Sequence, residues 1–100
     1  MPPRQLEIPR HELEAFCRRW GIARLALFGS VLRDDFRADS DVDVLVEFLP
    51  DVHVTLFDMA EMQEELGCLF GRPVDLRTPG DLSRYFRQSV MEQAQVQYVA

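Results

Sequence analysis

Between Gly29 and Val46 the chain reads GSVLRDDFRADSDVDVLV, a Gly-Ser pair, ten residues, and then two aspartates, Asp41 and Asp43, alternating with valines in an apolar run. Residues i and i+2 of a strand point to the same face, so this spacing sets the two carboxylates side by side, about 7 Å apart along the backbone. Two anions that close repel unless a cation lies between them. Hard oxygen donors in such an array suit Mg²⁺ or Mn²⁺, which takes one or two protein carboxylates and leaves its other positions to water and substrate phosphates. Asp43, inside VDVLV, is expected to be substantially buried and so to need a cation or a hydrogen-bond donor. Asp41 follows Ser40 and reads equally well as turn chemistry.

Asp75 repeats the pattern as an acid flanked by Val74 and Leu76. If its strand lies beside that of Asp43, three carboxylates converge. Gly29 and Ser30 come after one apolar run and before a possible short helix, where a residue without Cβ lets the backbone approach a phosphate and a hydroxyl adds a ligand. Taken alone, the pair is also an ordinary turn. Together these are the parts of metal-assisted phosphoryl or nucleotidyl transfer, in which one acid takes the acceptor's proton. Three acids facing a polyanionic nucleotide repel it, so activity is expected to depend strictly on metal. Arg33, one turn beyond Ser30, is placed to reach a phosphate; Arg37 and Arg77 are weaker candidates, and all three read equally well as surface arginines. His11 and His53 have no partner that would make a catalytic dyad.

The elements that must position these residues are short. Pro9 to Trp20 reads as a helix with Leu13, Phe16, Cys17 and Trp20 on one stripe and Gly21 as its stop. Ile22–Phe28 reads as a strand, as does Asp41 to Phe48, which is apolar on both faces beyond Asp43 and so suits a central position. Thr55 and Asp58 have capping-box spacing at the head of a helix expected to close at Gly67. Val74–Leu76 makes a third short strand, and Leu82 to Tyr98 reads as one or two helices. This order predicts an α/β (α+β) fold with a small mixed sheet of about three strands and helices packed on it. In such sheets ligands collect at strand ends, where Gly29, Ser30, Asp41, Asp43 and Asp75 all lie.

One hundred residues are expected to make a single domain over 1–100, with a core but no room for a separate substrate domain. Lys and Arg number 11 against 17 Asp and Glu, a net charge of −6 that disfavours direct binding to a DNA or RNA backbone. MPPRQLEIPR has no apolar signal region and no window approaches the roughly 18 apolar residues of a membrane span, so the expected compartment is the cytoplasm. Cys17 and Cys68 stand apart without CxxC or Cys/His spacing, so neither a zinc site nor a disulfide is expected.

Gly29-Ser30, the ten-residue gap, Asp41-Val42-Asp43 and the isolated acid of Val74-Asp75-Leu76 resemble the nucleotidyltransferase superfamily, which includes polymerase beta, poly(A) polymerases and aminoglycoside nucleotidyltransferases. The similarity to its smallest branch, the minimal nucleotidyltransferases of the MntA type, runs over nearly the whole chain. RPVDLRT resembles that branch's third-acid strand, and the segment ending VMEQAQVQYV its terminal helix. The resemblance implies a polymerase beta palm-like fold. It also implies nucleotide-phosphate binding by Gly29 and Ser30, with Arg33 near them; Mg²⁺ (or Mn²⁺) ligation by Asp41 and Asp43; and a catalytic role for Asp75 as the third ligand and activator of the acceptor hydroxyl. The family often has Gly where this chain has Asp34. Members of the branch act as antitoxins by transferring AMP from ATP to a tyrosine of a HEPN-domain ribonuclease toxin. That is the function and partner implied here, in a homo-oligomer or a hetero-oligomer with the toxin. Two alternatives stand beside it: neutralisation of the partner by binding alone, and nucleotidyl transfer to a small molecule or an RNA end, which the acidic charge disfavours.

Overall fold

The computed structural model describes residues 7–32 and 41–100. Helix α1, Arg10–Trp20, follows Pro9 and ends at Gly21, and it buries Leu13, Phe16 and Cys17. Strand β1, Ile22–Phe28, leads into a 3-10 turn, Gly29–Leu32. Strand β2 is Val42–Phe48, and helix α2, Leu56–Phe70, opens on a capping box in which the Thr55 hydroxyl accepts from the Asp58 N–H and the Asp58 carboxylate accepts from the Thr55 N–H. Strand β3, Val74–Arg77, is followed by a 3-10 turn at Pro79–Asp81, helix α3 at Arg87–Gln93 and strand β4 at Gln95–Val99.

The four strands lie in the order β3-β2-β1-β4, with β1 antiparallel to both neighbours and β2 parallel to β3. A parallel pair needs a crossover, and α2 supplies it. Alternate residues of the strands (Leu25 and Leu27, Val42, Val44 and Val46, Val74 and Leu76) form one buried cluster with Leu13, Phe16 and Cys17 of α1 and Met62, Leu66 and Phe70 of α2. Both helices therefore cover the same face of the sheet. By strand alternation the opposite face carries Phe28, Asp43, Leu45, Asp75 and Arg77. The indole N–H of Trp20 donates to Glu65 Oε2 at 2.9 Å and Arg19 pairs with the same carboxylate, which fixes the end of α1 against α2. Gln63 of α2 accepts the outward N–H of Leu76 at 2.9 Å and so covers the free edge of β3.

Two expectations need correction. The mixed α/β fold is present, but the sheet has four strands, because QVQYV is β4 and not the end of a helix. Its polar and apolar residues alternate, and β1 would otherwise expose an unpaired edge; pairing there overrides the helical spacing of Val90, Ala94 and Tyr98. Arg10 of α1 holds the added strand through Gln97, at 2.9 Å to its carbonyl and 2.6 Å to its side chain. Second, α2 does not close at Gly67: it runs on to Phe70, whose buried ring extends the apolar stripe of Met62 and Leu66, and it ends at Gly71 with φ +67°. The expectation for Asp43 holds in the main: it lies mostly shielded within β2, while no polar or charged residue among those described is fully buried.

Among the described residues no helix is long and apolar enough to cross a membrane. Burial, with the charge of Glu14 adding to it, pushes the Cys17 thiol up to about 12, whereas Cys68 is exposed. The thiolate is the reactive form, so a thiol reagent at about pH 8 is expected to label Cys68 alone in the folded chain and Cys17 only after unfolding. Rapid labelling of both in native buffer would contradict the packing of α1.

Candidate active site

The parallel register of β2 and β3 sets Asp43 directly opposite Asp75, while β1 sets Phe28 opposite Asp43 on the other side. Two acids separated by thirty-one residues of sequence thus become neighbours across about 4.8 Å of sheet. Asp41 is exposed, immediately before β2. Gly29 has φ +75°, and a Cβ placed there would overlap the Asp43 carboxylate, lying 3.0 Å from its Cγ and 3.3 Å from its Cβ. The turn after β1 can therefore close over the acid only with glycine at that position. Ser30 lies in the same turn. Arg33, with Arg37 and Asp34, falls outside the described residues.

A cavity of about 270 Å³ opens here, lined by Phe28, Asp43, Asp75, Arg77, Asp81 and Phe86 among others. Arg77, two residues beyond Asp75 on the same face of β3, donates from Nε to both Asp75 oxygens at 3.3 Å and from Nη2 to Oδ2 at 3.2 Å. Hydrogen bonding to Asp75 and then the charge of that carboxylate push the Arg77 pKa up; partial desolvation opposes this, and the charges of Asp81 and Asp43 add to it. Asp81 is held by Thr78, whose N–H and hydroxyl both donate to Asp81 Oδ2 at 3.1 Å. A larger cleft of about 590 Å³ lies on the helical side, among Arg19, Trp20, Glu61, Glu64, Glu65 and Cys68. The ties from Trp20 and Arg19 to Glu65 account for part of its polarity.

Among the described residues no group of three or more acidic, histidine or cysteine side chains is gathered closely enough to hold an ion by itself. A divalent hard cation does not require one: Mg²⁺ keeps several waters and binds through one or two carboxylates plus substrate phosphates. The donor set fits that ion in kind, since the acids on β2 and β3 are hard oxygen donors side by side and the cavity of about 270 Å³ lies against both. Asp81 was not foreseen. Thr78-x-x-Asp81 repeats the capping spacing of Thr55-x-x-Asp58, and that signal would have placed its carboxylate at the start of a turn.

The nucleotidyltransferase domain family matches residues 11–97. The chain is 33% identical over 75 residues to protein adenylyltransferase MntA of Thermococcus cleftensis, covering 75% of this chain and 74% of that protein. It is similar to a solved structure assigned as a minimal nucleotidyltransferase, with TM-score 0.69 and 36% identity over 85% of each chain. It also has the fold of a chain in the complex of tri-AMPylated Shewanella oneidensis HEPN toxin with MNT antitoxin, at TM-score 0.64 and 18% identity, covering 91% of this chain and 70% of that one.

Gly29 and Gly71 make a matched pair, because both have positive φ and a Cβ on Gly71 would meet nothing within 4 Å. Each Ala substitution is expected to lower stability by about 1 to 2 kcal/mol through its backbone. Gly29→Ala should additionally displace Asp43 and lose nucleotide binding, while Gly71→Ala binds like the parent. Equal binding by the two variants, measured by calorimetry beside their thermal unfolding, would refute the packing of Gly29 on Asp43.

Proposed function

The chain belongs to the nucleotidyltransferase domain family, and on that premise we propose that it transfers AMP from ATP, with Mg²⁺, to a tyrosine hydroxyl of a HEPN-type ribonuclease and so acts as that toxin's antitoxin. The observation that carries the reading is the pairing of Asp43 with Asp75 on adjoining parallel strands beneath the glycine turn. The adenylyltransferase activity named for the Thermococcus relative and the AMPylated toxin bound beside the Shewanella antitoxin support the choice of reaction and partner. The cytoplasm, where ATP and a ribonuclease's RNA targets are found, is the compartment proposed with it.

In this reading Gly29 and Ser30 receive the phosphates through the backbone of the turn, and Arg33 contributes a charge to them. Asp41, Asp43 and Asp75 would hold the metal, which neutralises phosphate charge and makes the α-phosphorus easier to attack. The acceptor's phenolic oxygen bonds to the α-phosphorus as the bridging α–β P–O bond breaks and pyrophosphate leaves. Asp75 would take the phenolic proton. Phe28 and Phe86 line the cavity with apolar surface. The small cavity leaves the acceptor to be presented by the partner's own surface.

ATP labelled at the α-phosphate, incubated with Mg²⁺ and the ribonuclease, is expected to label a tyrosine of the ribonuclease and abolish its RNA cleavage. EDTA should prevent this, and Asp43→Asn and Asp75→Asn should each slow it by about 10²- to 10⁴-fold, the range for loss of a general base or an equivalent charged group. Neutralisation without label by a chain carrying both Asp43→Asn and Asp75→Asn would replace the reading with one of binding alone. Preferential labelling of a free small molecule or an RNA end would move the acceptor elsewhere.

A further inference from the structure

Arg77 is a cation inside a cavity whose described lining otherwise carries the acids Asp43, Asp75 and Asp81. Its guanidinium reaches both oxygens of Asp75, at 3.2 to 3.3 Å. A carboxylate engaged in that way keeps lone pairs open on its oxygens, so the guanidinium competes with an ion for the charge of Asp75 without blocking it outright. The two side chains are 46% and 38% exposed, so the pair is weak enough to open. We propose that Arg77 is an internal counter-ion of the site: without metal it holds Asp75, and when metal takes Asp75 the freed guanidinium turns to the nucleotide's phosphates. This deepens the functional reading above and rests on its assignment of Asp75 as a metal ligand.

The exchange makes Arg77 a positioning residue with two opposite effects. It competes with metal for Asp75 and it favours the phosphates that arrive with metal, so metal and nucleotide bind cooperatively through it. Arg77 offers planar, bidentate donors that suit a carboxylate and a phosphate equally well. A surface arginine with a merely structural role would leave both affinities unchanged.

The test measures Mn²⁺ binding by electron paramagnetic resonance, with and without a non-hydrolysable ATP analogue, on the wild type, Arg77→Gln, Arg77→Lys, Arg84→Gln and Asp75→Asn. Arg77→Gln is expected to bind Mn²⁺ alone about two- to five-fold more tightly, the equivalent of one exposed ion pair. The same variant should bind the analogue about ten-fold more weakly at saturating Mn²⁺, as for a lost charge-assisted hydrogen bond. Arg77→Lys, which keeps the charge and folds with the least disturbance, should recover most of the analogue affinity while still binding Mn²⁺ more tightly than the wild type. Arg84 stacks on Tyr85, 5.2 Å from the ring centre, so Arg84→Gln removes an equal charge without touching Asp75 and should change neither affinity. Unchanged Mn²⁺ affinity in both Arg77 variants, or an equal rise in Arg84→Gln, overturns the counter-ion role alone. Wild-type Mn²⁺ binding that is indifferent to Asp75→Asn overturns the metal assignment of Asp75, and the counter-ion role with it.

Discussion

The parallel register of β2 against β3 is the constraint on which the rest of the structure depends, because it places the Asp43 and Asp75 carboxylates side by side. Two unit charges about 5 Å apart at an effective dielectric near 20 repel by about 3 kcal/mol. Nothing in the local chemistry of VDVLV or VDLRT favours that juxtaposition, so it must be imposed from the other face of the sheet. There the buried valines and leucines of both strands pack on α2, and a one-residue slip would exchange them for the acids. The same packing that stabilises the fold therefore determines where the charge accumulates.

Two devices manage that charge. Gly29 brings the turn after β1 against Asp43 at a distance no side chain would permit. Arg77 engages Asp75 from the same strand. Its partner is half exposed and its own position is at the end of a strand, so the contact holds the carboxylate without locking it. A site that must alternate between an empty and a loaded state is served better by such a weak pair than by a buried one, whose opening would leave a charge stranded in the core. The Thr78–Asp81 turn then fixes the chain that carries Leu82 and Phe86 back over the cavity.

Much of the framework was legible. Ile22–Phe28 is bounded as read, because an apolar run between two glycines leaves few choices. The capping box at Thr55 is present with both of its hydrogen bonds, and α1 stops at Gly21 as its glycine requires. The misreadings have a common origin. At Gly67 and at QVQYV the local signal was outweighed by a distant surface: the buried face awaiting Phe70 in one case, the open edge of β1 in the other. The burial expected of Asp43 holds in the main, because its strand is a central one. An apolar neighbourhood in sequence says which strand an acid is in, but the opening left between β1 and β3 decides how much water reaches it.

By itself the sequence determined the kinds of group available and their placement within each strand, since a two-residue repeat fixes which side chains share a face whatever the strand packs against. It therefore specified Asp41 with Asp43 and, on a separate segment, Asp75 with Arg77. Tertiary structure alone decided that these two segments are neighbours, that their acids are in register, that Arg77 engages Asp75, and that a fourth strand closes the sheet beyond β1. Register between strands joined by a long crossover is set by how the intervening helix packs on the core, and no short window of residues contains that information.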